Sequence, residues 1–318
     1  MDDTGELTLV ARKPSFGLPT SCPQCLPVYI YLKFAKIPFT LSFNLVYPDS
    51  DQIPYVESGT NVAYNNEKGG VIEGLKKAGI VDLDSEASAL PEWISMTALA
   101  SSWLGDAIMY DLWLNSDGSS ARKIYYDDLP WPIGKILYFK QVNFTKQLLG
   151  LTRENSERRE EEIYRRAEIA YSSLSTSLGD QQFLFGNRPT SLDAVFLGHA
   201  LFALHALPET SVLRSKLLEH SNLVNYAEKL KVEFIDNSSP SSSIPPLHTG
   251  GGGPSNWSSK PKTKPKKEKT EEEKKFKRRT KYFLVTQLVA VLVFLSLLGG
   301  SEVDVDEDDG DDDHDYDD

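Results

Sequence analysis

The chain has 318 residues, enough for two domains, with 40% hydrophobic residues and a formal charge of −12. Twelve acidic residues and no Lys or Arg lie in Ser301–Asp318, and the remaining 34 acidic residues balance 34 basic ones. The acidity thus belongs to a tail and gives no ground for an acidic binding cleft; Cys22 and Cys25, the two cysteines, are too few for a disulfide framework and fit a reducing compartment.

The N-terminus, MDDTGELTLV, has neither a basic and apolar leader nor an Arg-rich amphipathic presequence. Leu7–Arg12 reads as a strand and Leu26–Lys36 as a helix opening near a proline. Phe39–Asn44 alternates as a second strand, and Ile53–Val56 with Asn61–Tyr64 reads as a hairpin across Ser58-Gly59. Gly70–Lys77 is a short helix. The order βαβ–ββα closes near Asp84 and predicts an N-terminal domain over 1–84.

Residues 85–235 read as an all-helical domain. Ile94, Ala98, Leu104, Ile108 and Leu112 fall on one face of a long helix, and Ile163, Ala167, Ala170, Leu174 and Leu178 repeat the pattern later. Glu154–Arg158, Glu161–Arg165 and Glu162–Arg166, each four apart, mark a solvated face. Thr190-Ser191-Leu192-Asp193 opens another helix, with Asp193 placed to accept from the Thr190 amide.

Residues 236–269 begin Ser-, Pro- and Gly-rich and turn basic, and too few large apolar side chains are present to bury a core. As a flexible linker this stretch has a reach of roughly 30–35 Å. Thr270–Glu273 fits a capping box for a helix over 270–300. Within it, Tyr282–Gly300 is uncharged and spans about 28 Å as a helix, close to the ~30 Å hydrocarbon thickness. Its predicted lipid-facing residues are Tyr282, Phe283, Leu284, Val285, Leu288, Val289, Val291, Leu292, Val293, Phe294, Leu295, Leu297 and Leu298. The twelve Val, Leu and Phe among them favour insertion by roughly 4–7 kcal/mol, which Thr286 and Gln287 reduce. Lys274, Lys275, Lys277, Arg278, Arg279 and Lys281 flank the run and predict a cytosolic N-terminal body, so the acidic tail, 301–318, crosses the membrane. This is the pattern of a tail anchor. The basic block lacks interleaved aromatics and abuts the apolar run, which argues against nucleic acid as its partner.

A βαβ–ββα unit with a proline opening its third strand, followed by a helical domain, resembles the glutathione-transferase fold: thioredoxin-like N-terminal domain, all-α C-terminal domain. Pro54 matches that fold's cis-proline, and Thr190 to Asp193 its buried capping box. More narrowly, the sequence resembles the metaxins, especially their plant branch. The stretches that carry this are Phe16-Gly17-Leu18-Pro19-Thr20 leading to Cys25 and Tyr29–Phe34, then Arg188-Pro189-Thr190-Ser191-Leu192-Asp193-Ala194, then Ser221-Asn222-Leu223-Val224-Asn225-Tyr226. The resemblance implies a cytosol-facing mitochondrial outer-membrane component of protein import and β-barrel assembly. Its implied partners are the barrel insertase, other sorting and assembly subunits, and precursor proteins. It implies no enzyme and no cofactor.

Two enzymatic readings stand beside that one. Cys22-Pro-Gln-Cys25 at a helix start has a glutaredoxin-like placement that lowers a thiol pKa; the plainer reading makes Cys25 a small buried residue and Cys22 its loop neighbour. The long link from Arg12 to Cys22, and Pro27 in the first turn, count against redox work. Glutathione transfer needs a hydroxyl or thiol near the first helix, for which Ser15, Ser21 and Cys22 are candidates, and an anion-binding acidic-then-Ser pair after the hairpin, where Asn65-Asn66 stand instead. No four-ligand zinc set is visible, and Asp304, Asp306 and Asp308 lack the Gly and Glu that a calcium loop requires at its sixth and twelfth positions. No metal site is expected.

Overall fold

The computed structural model describes residues 7–44, 51–59, 61–236 and 287. The chain separates into two units, Met1–Pro246 and Leu247–Asp318. Apart from Asp236 and Gln287, the predicted linker, basic flank, membrane span and acidic tail lie outside the described residues. Among the described residues no helix is long and apolar enough to cross a membrane.

The first unit opens with a four-stranded sheet in the order β2-β1-β3-β4. Strand β1 (Leu7–Ala11) pairs in parallel with β2 (Phe39–Phe43), Leu9 opposite Leu41. It pairs antiparallel with β3 (Tyr55–Ser58), which forms a hairpin with β4 (Asn61–Tyr64). The third strand therefore begins two residues later than the alternation predicts. Proline has no N–H to donate to a ladder, so pairing starts after Pro54, with Tyr55 opposite Val10. The Ile53–Pro54 peptide is cis. Helix α1 (Cys25–Phe34) crosses from β1 to β2, and α2 (Gly70–Lys77) follows the hairpin.

The helices that follow are α3 (Pro91–Ala98), α4 (Gly105–Trp113), α5 (Ser119–Tyr125), α6 (Ile133–Leu148), α7 (Ser156–Leu178), α8 (Ser191–His205), α9 (Val212–Leu218) and α10 (Ser221–Lys231). The predicted long helix over α3 and α4 is interrupted by a π-helical segment, Leu99–Leu104. The wider turn shifts the phase by about one residue. Leu104, Ile108 and Leu112 keep their buried face, but upstream of the bulge Trp93 takes the core position and Ile94 is 53% exposed. The expectation for Ile94, and for the likewise exposed Ala98, is thereby corrected. In α7 all five residues of the predicted stripe are buried, and Glu162 pairs with both Arg159 and Arg166 on the outer side.

Helix α8 is apolar almost all round and lies inside the molecule, packed along α1. Its start is therefore buried, and the free N–H groups there need protein partners. Asp193 ties the cap together. Its Oδ2 accepts from the Thr190 N–H and hydroxyl, each at 2.8 Å, and its Oδ1 from the Leu184 N–H at 2.8 Å and the Tyr226 hydroxyl at 2.6 Å. Asp84, in the segment leaving the sheet layer, accepts from the Ser191 N–H at 2.7 Å and pairs with Lys76 of α2. Further along α8, a Cβ on Gly198 would stand 2.7 Å from the Pro27 ring of α1, so glycine is what lets the two helices approach. His199, beside it, is buried and hydrogen-bonded to the Ala100 backbone; burial lowers its pKa from 6.5 to about 4.

Gly198→Ala is expected to push α1 from α8 and cost about 1–3 kcal/mol by urea unfolding. Asp193→Ala leaves several buried donors without an acceptor and is expected to cost at least about 3 kcal/mol. His199 has a folded pKa below its unfolded value, so its contribution is complete above pH 6.5 and is lost as pH falls toward 4. The unfolding free energy of the wild-type chain is expected to drop across that window by on the order of 3 kcal/mol more than that of His199→Gln, read by urea unfolding at each pH.

Candidate functional site

A cleft of about 460 Å³ opens where the end of β1 and the start of α1 face α4, α5 and α6. Its floor carries Arg12, Cys22, Gln24, Ile53 and Asn65 from the sheet layer; its walls carry Trp113, Tyr125, Lys140 and Phe144 from the helices. The loop from Arg12 to Cys22 is long, as the sequence shows, yet it folds back on itself. Phe16 and Gly17 take positive φ in a turn closed by the Leu18 N–H to Ser15 carbonyl bond (2.9 Å), and the Ser21 N–H returns to the Lys13 carbonyl (3.4 Å). Cys22 is thereby brought back to the end of β1. Pro27 stands in the first turn of α1, where no backbone bond is lost, and Gly198 receives its ring.

Cys22 and Cys25 are free and buried, with side chains hydrogen-bonded to each other. The Tyr125 hydroxyl donates to Cys22 Sγ at 3.7 Å, and the Arg12 guanidinium lies 4.7 Å from the Tyr125 ring centroid. Burial, the largest influence on Cys22, raises its pKa. The Cys25 thiol, the Arg12 charge, the Tyr125 hydroxyl and the Gln24 N–H act the other way and together bring it down to about 6. Cys25 is pushed well above the ordinary thiol value by burial and by the neighbouring sulfur. Around them Trp113 packs against Tyr125, Tyr126 and Tyr138, with ring centroids 5.2–6.2 Å apart.

Of the three candidates for glutathione activation, only Cys22 borders the cleft. Ser21 is buried, its hydroxyl donating to the Lys13 carbonyl at 3.3 Å, and Ser15 sits in the loop turn. At the position after the hairpin, Asn65 directs its amide to Gln24 Oε1 (3.2 Å) and to the Asp51 carbonyl (3.3 Å). The Asn65 amide that would meet a ligand carboxylate there is engaged within the protein. Pro54 follows Ile53 at the cleft floor, whereas Thr190 and Asp193 lie at the start of α8, away from the cleft, where they form the reciprocal capping box. Among the described residues no group of three His, Cys, Asp or Glu could hold a metal ion.

Arg12, Tyr125, Trp113 and Lys140 were not legible as site residues from the sequence. Each belongs to a segment whose pattern reports only a strand or a helix, and the crossing of the two layers is what brings them together. A larger open cavity, about 920 Å³, lies between residues 82–92 and 181–190. Its Arg188–Glu86 pair, 3.0 Å apart, is about 80% exposed on both sides.

The described geometry is matched by known proteins. Residues 23–118 match the model of the glutathione S-transferase N-terminal domain, and residues 167–230 that of the C-terminal domain. A glutathione S-transferase of Ceriporiopsis subvermispora, solved with glutathione, shares the fold at a TM-score of 0.50 and 11% identity, over 74% of this chain and 98% of that one. The mitochondrial outer membrane import complex protein METAXIN of Arabidopsis thaliana is 58% identical over 95% of this chain and 96% of its own length. Human metaxin-2 is 24% identical over 67% of this chain and 82% of its own, and mouse metaxin-1 24% identical over 66% and 69%. The 58% identity to the Arabidopsis protein over 95% of the chain shows that this chain belongs to the metaxin family, and the two domain models give it a glutathione-transferase-like fold.

Proposed function

We propose that the protein is a tail-anchored component of the mitochondrial outer-membrane import and β-barrel sorting machinery, acting as a docking module rather than an enzyme. In this reading residues 1–84 and 85–235 form a cytosolic body, 236–269 a linker, 270–300 a helix that includes the anchor, and 301–318 a tail in the intermembrane space. The Arabidopsis relative's name, a mitochondrial outer membrane import complex protein, supports the compartment and the import role. The partners are the barrel insertase, other sorting and assembly subunits, and precursor proteins.

The observation that carries docking is the surface of α6 beside the cleft. Trp131 is 82% exposed and Phe139 57% exposed, and Ile136, Phe144 and Leu148 stand out with them. Along the whole of α6 only Thr145 is buried. Large apolar side chains gathered on one helix mark a surface that another molecule covers. The engagement of Asn65 by Gln24 and Asp51 counts against a glutathione carboxylate there.

Two experiments test the reading. A chain lacking residues 281–318 is expected to fold but to leave the mitochondrial membrane fraction; normal barrel assembly in organelles holding only that chain contradicts the import role. An Ile136→Glu/Phe139→Glu chain is expected to keep its unfolding midpoint while losing cofractionation with the assembly subunits. Retention of the wild-type chain on immobilised glutathione, with turnover of an electrophile, supports the transferase reading instead.

A further inference from the structure

The turn that brings Cys22 to the cleft also sets it beside Cys25. The Cys25 N–H donates to the Cys22 carbonyl at 3.1 Å. Such a turn keeps its first and fourth Cα atoms within about 7 Å, and a disulfide spans about 4.4–6.8 Å. The two sulfurs occupy unequal places. Cys22 borders the cleft, while Cys25 is fully buried beneath it. A phenol hydroxyl and a guanidinium converge on Cys22, an environment that stabilises a thiolate and that a space-filling core cysteine does not require.

We propose that Cys22 and Cys25 form a thiol–disulfide exchange site that takes a small peptide disulfide into the cleft as oxidant. Cys22 attacks as the thiolate, bonding to one sulfur of the incoming disulfide. The S–S bond of that disulfide breaks, and its other half leaves as a thiolate and takes up a proton. Cys25 then gives up its proton and attacks Cys22 Sγ, the mixed disulfide breaks, and the second half leaves as a thiol. Two protein thiols are oxidised to one disulfide while the substrate disulfide is reduced to two thiols. Arg12 holds the charge on Cys22 in the first step, and the Tyr125 hydroxyl keeps the sulfur directed at the cleft. The site is independent of the docking reading, because it needs Arg12, Cys22, Cys25 and Tyr125 and not the exposed surface of α6.

The test uses the full chain in detergent, equilibrated with mixtures of glutathione and glutathione disulfide, acid-quenched, and its thiols counted by maleimide mass-tagging. Wild type is expected to lose both thiols together in one transition. Cys25→Ser is expected to accumulate a glutathione mixed disulfide on Cys22, and Cys22→Ser to take up none on Cys25. Should either serine variant misfold, Tyr125→Phe keeps the ring packing, and its rate of Cys22 alkylation is expected to show a pH midpoint shifted up from about 6 toward the ordinary thiol value. The proposal is overturned if both wild-type thiols persist at the most oxidising ratio yet oxidise in denaturant. It is equally overturned if the two serine variants take up glutathione alike, or if Tyr125→Phe leaves the alkylation profile unmoved.

Discussion

The structure depends on how the buried start of α8 is satisfied. A helix that is apolar all round belongs inside, but its first N–H groups then have no water to turn to. Asp193, from the helix itself, accepts from Thr190, Leu184 and Tyr226; Asp84, from the segment leaving the sheet layer, accepts from Ser191. Because Asp84 also pairs with Lys76 of α2, the cap is shared between the sheet layer and the helical layer. A hydrogen-bonded cluster of this kind is worth most when complete, since each lost acceptor leaves a donor stranded at low dielectric.

With α8 fixed, α1 follows. The two helices meet where Gly198 receives the Pro27 ring, and Pro27 lies one turn from the cysteines. The position of the Cys22 turn is thus set by a contact on the far side of α1 from the cleft. The opposite wall has its own buried carboxylate. Asp111 of α4 accepts from Tyr164 of α7 at 2.8 Å and from Asn115 at 3.0 Å, and also binds Ser211 at the start of α9. That hub holds α4 steady two residues before Trp113, which carries the aromatic cluster around Tyr125.

The parts of this fold that could be read in the sequence are those specified locally. The strands, α2, the stripe of α7 and the capping box over Thr190 to Asp193 each rest on a period or on a spacing of three or four residues, and each is present. The start of β3 lies two residues beyond the apolar alternation because Pro54 has no N–H to give the ladder. Ile94 was misplaced because a π-helical segment adds a residue without any composition signal. The cleft was legible only at Cys22 and at Asn65-Asn66, with Cys25 beside them. Arg12 and Tyr125 are 113 positions apart, and no single-sequence pattern relates them until the two layers are packed.

Helix α6 differs from α8 in a way that bears on function. Burying a Phe, Ile or Leu side chain gains about 1.5–3 kcal/mol, and α6 leaves several in water within the free body. No residue from Leu129 to Arg153 is acidic, whereas Lys135, Lys140, Lys146 and Arg153 are basic, so this helix does not rely on internal charge pairs to stay soluble. The cleft therefore has an apolar and basic rim above a polar floor. Rim and floor rest on different elements: the rim on α6, the floor on α1 and through it on α8. Ile136 and Phe139 are exposed on α6 outside the lining of the cleft, so changes there leave the Cys22 turn where it is. The exposed α6 surface and the Cys22 turn are thus structurally separable features of the body.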